Sequence, residues 1–100
     1  MKYIIRKHTL DRAKQYDLLV FPVEDGVHKI EVYDKDGHHL ADVGDINYND
    51  YAQYLAMEQM NLLPKGYANS RRKLYLNRHK HETGFDEPYS RSWLAKTLLW

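Results

Sequence analysis

Six histidines, fourteen Asp and Glu and no cysteine are the side chains from which a metal site, a general acid or a nucleophile would have to be built. Two histidine clusters stand out: the adjacent His38-His39, and His79-x-His81 followed by Glu82. Neighbouring side chains on a strand face opposite ways, and residues two apart on a helix diverge by about 200°. Neither cluster can therefore chelate one ion by itself. A Zn²⁺ site needs three or four convergent ligands, so it would have to form across elements, for instance from His38 with His79 or His81. Asp34-x-Asp36-Gly37 has the spacing with which a calcium loop begins, but the bidentate glutamate that closes such a loop is missing. The chain has no thiol, no nucleophile-elbow or metalloprotease pattern, and no phosphate-cradling Gly-rich loop. The reading is a non-enzymatic protein without a cofactor, with a His-dependent metal enzyme as the remote alternative.

Binding chemistry is better represented. Arg71-Arg72-Lys73-Leu74-Tyr75-Leu76-Asn77-Arg78-His79-Lys80-His81 carries five permanent cations, two histidines and no acid, in a chain of net charge +1. Residues 1–66 hold eight Lys/Arg against eleven Asp/Glu, whereas 67–100 hold seven against three. The basic part can meet the acidic part or an anionic partner. Arg71, Arg72, Lys73 and Lys80 are the candidate partner-binding cations, with Tyr67 as a ring able to stack on a base or fill an interface. On a helical wheel the charge spreads around the axis, with Arg71, Leu74, Tyr75 and Arg78 on one face, and does not form a single stripe.

The elements that must position these residues follow from periodicity. Lys2 to His8, around Ile4-Ile5, reads as a strand, and Thr9 to Lys14 as a loop or one helical turn. Leu18 to Phe21, stopped by Pro22, is a second strand. Val27 to Tyr33 is a third, with His28, Ile30 and Val32 on one face and Lys29 and Glu31 on the other. His38 to Val43, after the Asp36-Gly37 turn, is a fourth. From Tyr48 to Leu63 apolar residues recur at helical spacing, capped by Asn47 or Asn49. This predicts a long helix with its apolar stripe on the sheet. A basic helix runs from Ala68 or Ser70 to about Glu82. A short one, Trp93 to Leu99, is capped by Ser90 or Ser92, and Trp93, Leu94, Thr97 and Leu98 line its inner side.

One hundred residues suit one domain, here a β-meander over 1–44 and a helical part over 45–100. The fold class is α+β, a small antiparallel sheet of three to four strands with two to three helices packed on it. Nine tyrosines among thirteen aromatics suit an amphipathic core boundary or an interface. The N-terminal apolar run is too short for a secretory signal, and no segment has the roughly 18 apolar residues of a membrane span. No secretion by a signal peptide is expected.

Four motifs carry a resemblance to a known family. Val43-Gly44-Asp45-x-x-Tyr48-x-x-Tyr51, Arg72-x-x-Tyr75-Leu76-x-Arg78-His79, Pro88-Tyr89-Ser90 and Leu98-Leu99-Trp100 resemble a family of small bacteriophage and large-DNA-virus proteins with no established activity. The likeness covers roughly residues 28 to 100. This chain departs from it in a longer helix over 52–66 and in Ala41-Asp42 where an aromatic is usual. The resemblance implies a viral accessory protein located in a virion or the host-cell cytoplasm, with a viral or host protein partner, as a minor virion component or an inhibitor of a host or defence complex. The alternative is a nucleic-acid-associated protein using the 71–81 helix. It also implies a structural tail. Trp93 and Trp100 would pack on the basic helix beside Tyr75, and Arg78 or His79 would hold the terminus or the Asp86-Glu87 loop.

Overall fold

A computed structural model describes residues 2–100. It is α+β: helix α1 (Lys7–Gln15), strands β1 (Leu19–Pro22), β2 (His28–Tyr33) and β3 (His39–Asp45), then helices α2 (Tyr51–Gln59), α3 (Tyr67–His79) and α4 (Arg91–Leu99). The strands form one antiparallel sheet in the order β1-β2-β3. Ile30 faces Val43, and Val32 faces Val20 on one side and Ala41 on the other. These residues form one face of the sheet, and α1 and α4 close over it through Ala13, Leu94 and Leu98.

The strand expected over Lys2 to His8 is not present. Residues 2–6 are irregular, and the helix begins at Lys7. Ile4 is 69% exposed, so the β-branched pair that suggested a strand does not build the core. The buried face of α1 consists of two small residues, Thr9 and Ala13. Thr9 Oγ1 donates to the carbonyl of Leu98 at 2.7 Å, which ties the first helix to the last. The sheet accordingly has three strands, and the segment 1–44 is not a pure meander.

Helix α2 is shorter than its hydrophobic pattern suggested, and it lies elsewhere. Its cap is Asp50, not Asn47 or Asn49. Asp50 Oδ1 accepts from the Gln53 amide at 2.8 Å and Gln53 Oε1 from the Asp50 amide at 2.9 Å, a reciprocal capping box. It stops at Gln59 because Asn61 takes a left-handed conformation, φ 61°, which leaves Leu62 exposed. Its main neighbour is α3, not the sheet. Glu58 joins the two helices. Its Oε1 accepts from the amides of Gly66 and Ala68, each at 3.0 Å, and so satisfies donors at the start of α3 that have no partner within the helix. Leu74, expected to pack, is 54% exposed, while Tyr75 is buried.

Helix α4 begins as expected, with Ser90 Oγ accepting from the Trp93 amide at 3.2 Å. Leu94, Thr97, Leu98 and Leu99 are its buried residues. No helix among the described residues is long and apolar enough to cross a membrane.

Candidate functional site

Two sets of charge meet where the sheet, α2, α3 and α4 converge. The first is sealed. Lys29 and Asp50 are 2% and 1% exposed, and Lys29 Nζ lies 2.9 Å from Asp50 Oδ2. The same carboxylate oxygen accepts from the Tyr3 hydroxyl at 2.7 Å, and Lys29 Nζ also donates to Gln53 Oε1 at 2.8 Å. Burial pushes the Lys29 ammonium below its ordinary range against the opposing pull of Asp50. Burial and then the Asp50 charge push the Tyr3 phenol well above its own. Lys29, predicted on alternation to share a strand face with Glu31, is thus part of the interior. It is stable there because each polar group of the set has a partner.

Gly44 makes room for this arrangement. Its φ is 88°, and a Cβ at that position would sit 2.7 Å from Leu99 Cδ1 and 2.9 Å from Lys29 Cδ. Both facts require glycine. The Gly-Asp pair of the sequence motif is therefore a packing device between β2 and α4, and Asp45 Oδ1 turns the chain by accepting from the Asn47 amide at 2.9 Å.

The second set is open. A cleft of about 980 Å³ runs between the β2–β3 end of the sheet and the helices. Tyr54, Tyr75 and Trp100 form much of its aromatic lining, and Arg71, Arg78 and Arg91 stand on the helical side. Trp100 stacks on Tyr75 with ring centroids 4.2 Å apart and planes 5° from parallel. His79 covers Tyr75 from a neighbouring position at 4.3 Å. Burial, then the Glu82 charge, raises the Tyr75 phenol to about 12. Among the described residues no carboxylate lies within ion-pair distance of Arg71, Arg78 or Arg91. The cleft's acids are mostly engaged. Asp50 holds Lys29, Asp42 is bonded by His39 at 2.8 Å, and Glu82 is bonded by His79 and by Ser92 Oγ at 2.6 Å. The Ser92 hydroxyl, then His79, hold the Glu82 carboxyl below its usual range.

The residues predicted from sequence separate into three groups. Trp100, Tyr75 and His79 come together as the tail resemblance implied. Trp93 does not join them: it packs edge-on to Tyr16 at 5.0 Å and against Tyr89 at 5.1 Å. Arg78 does not reach the Asp86-Glu87 loop; its Nε lies 3.4 Å from His79 Nε2. The loop is held instead by Lys96, 3.3 Å from Asp86. Arg71 and Arg72 are half-buried over the rings of Tyr54 and Tyr51, at 5.7 and 4.9 Å, while Lys73 and Lys80 are exposed. Tyr67 leans edge-on to Tyr54 at 5.4 Å. The His38 pairing with His79 or His81 is absent from the His/carboxylate groups of the described residues, which are Asp25-His28-Asp42 and Asp34-Asp36-His38. Sequence reasoning missed Arg91, Tyr54 and the Lys29–Asp50 pair. Of these only Asp50 left a local signal, the Asp-x-x-Gln spacing of a capping box.

No protein-family model matches this chain, and neither does any curated protein or solved structure.

Proposed function

We propose that this chain is a non-enzymatic accessory protein of the phage or large-DNA-virus type that acts by binding a macromolecular partner, most directly a viral or host protein. The binding site is the cleft between the sheet and helices α3 and α4. One observation carries this reading: Arg71, Arg78 and Arg91 border an aromatic lining, and among the described residues no carboxylate lies within ion-pair distance of any of them. Arginine and aromatic side chains around a concave surface are the anchors that interfaces use. In the sealed pair beside them, by contrast, every charge is answered within the fold. Association with a virion or with a host or defence complex are the two settings this predicts. Affinity isolation of the tagged protein from infected cells and from particles tests it, with Arg78→Glu/Arg91→Glu as the paired variant. The wild type is expected to retain a partner that the variant loses. An unchanged partner set in the variant rules out the cleft.

The nucleic-acid reading keeps one observation in its favour. The same arginines stand beside rings on which bases can stack. It predicts binding of a single-stranded oligonucleotide that falls steeply with added salt. It is weakened by Arg71 and Arg72 already lying on tyrosine rings and by the acids that share the cleft.

A further inference from the structure

The face of the sheet opposite the core is covered at one end, where Lys29 meets Asp50 and Gln53 and Gly44 packs near Leu99, and from Glu31 onward its side chains are half-exposed or exposed. Its side chains can be read from the strand register. Phe21, Glu31 and Asp42 form one row across the three strands, and Leu19, Tyr33 and His39 form the next. The rings run diagonally and touch edge-on, Phe21 to Tyr33 at 5.8 Å and Tyr33 to His39 at 5.3 Å. Leu19 and Phe21, on the edge strand, are 44% and 48% exposed. This is an apolar and aromatic strip on the part of that face left open to solvent.

The charge within that strip is all of one sign. Glu31 and Asp42 are direct cross-strand neighbours, an arrangement that repels and destabilises a sheet. Glu31 has no cation within ion-pair distance among the described residues, and the Asp42 carboxylate is bonded by the His39 imidazole at 2.8 Å and lies within 4.8 Å of a His28 ring nitrogen and an Asp25 oxygen. Burial, then the Glu31 charge and the hydroxyl's bond to Glu31, then the Asp42 charge, push the Tyr33 phenol upward, so both carboxylates lie beside its hydroxyl. Two adjacent carboxylates beside exposed rings are what a guanidinium requires. Its plane lies on the ring and its N–H groups reach the oxygens.

We propose that this outer sheet face docks a cationic, arginine-bearing polypeptide segment. An arginine lies over Tyr33 and Phe21 and bonds Glu31 and Asp42, and apolar residues of the segment cover Leu19. Charge complementarity selects this occupant, because a polyanion would meet both carboxylates. The surface is separate from the arginine-lined cleft except at Asp42, where the two adjoin, so the test uses Glu31 and Phe21.

The experiment is an amide chemical-shift titration of the whole protein with a blocked peptide of alternating Arg and Val. Versions with Lys or Glu in place of Arg, and a single-stranded oligonucleotide, serve as comparisons. The Arg peptide is expected to shift the amides of Leu19, Phe21, Glu31, Tyr33 and His39 saturably, the Lys peptide more weakly, and the Glu peptide not at all. Glu31→Gln is expected to weaken the Arg peptide by about fivefold, the worth of one partly exposed charge pair. It should also raise the melting temperature of the free protein by relieving the Glu31–Asp42 repulsion, an effect a purely structural glutamate would not produce. Phe21→Ala is expected to weaken binding with the fold intact by circular dichroism. Shifts confined to other surfaces, affinity unchanged by Glu31→Gln, or a lowered melting temperature in that variant each overturn the proposal. So do shifts of these amides on concentrating the protein alone, which would assign the face to a second copy. Shifts with the oligonucleotide would likewise assign it to nucleic acid.

Discussion

Lys29 and Asp50 on one side of the cleft, and Arg71, Arg78 and Arg91 on the other, are charges of the same kinds in the same part of the fold. They differ in how their desolvation is met. Lys29 and Asp50 are inside, and their cost of burial is offset by each other, by Tyr3 and by Gln53. The arginines keep contact with solvent or lie on rings, and among the described residues no carboxylate lies within ion-pair distance of them. A closed network specifies a structure, whereas an unanswered charge at the rim of a concave surface remains available to an outside group. The difference separates fold-determining polarity from binding polarity without reference to residue type.

The largest expected effect breaks the closed side. Asp50→Ala leaves the Lys29 ammonium buried without a counter-charge and removes the α2 cap. It should cost about 3–5 kcal/mol of unfolding free energy in urea titrations. Replacing Lys29 by Met together with Asp50 by Asn should cost clearly less than the summed single variants. A small effect of Asp50→Ala would mean that the pair is not the keystone argued above.

Next is the boundary between the two sets. Trp100→Ala removes a half-buried indole from its stack on Tyr75 and should destabilise the fold by about 2–3 kcal/mol, by thermal or chemical unfolding. Stability unchanged by Trp100→Ala would place the tail outside the cooperative fold.

Tyr75 sharpens the comparison through pH. Its phenol titrates at about 12 in the folded chain, above the ordinary value near 10. The folded state therefore holds this proton more tightly than the unfolded state. The resulting stability is complete below pH about 10 and is lost as pH rises toward 12. Tyr75→Phe should flatten that alkaline loss in stability-versus-pH curves and leave the neutral region nearly unchanged.

The smallest stability effect belongs to the open set. Arg78→Ala and Arg91→Ala should each change stability by no more than about 0.5 kcal/mol while reducing retention of the partner. Should either unfold the protein, the contrast between closed and open charge would fail.

Features whose partners are near in sequence were legible before the structure. Leu18 to Phe21, the Asp36-Gly37 turn, the Ser90 cap and the α+β class all rest on spacings of a few residues. The packing of Trp100 on the basic helix beside Tyr75 was expected and is present. Helix α1 was not, because small residues, Thr9 and Ala13, make its buried face while the conspicuous Ile4 stays exposed. The burial of Lys29 was not legible because the partner that allows it, Asp50, lies twenty-one residues away. The cleft was illegible for the same reason. Arg71 and Arg91 come from different helices, and nothing local marks either as facing a shared space.

The stack of Trp100 on Tyr75 also gives the molecule an optical readout. Only two indoles are present, and they sit in different surroundings: Trp100 lines the cleft, and Trp93 lies edge-on to Tyr16 away from it. With Trp93 replaced by Phe, the emission of the remaining indole would come from the cleft wall alone. A ligand that enters there and disturbs the parallel rings should change its intensity and colour, so occupancy can be followed without a label on either binding partner.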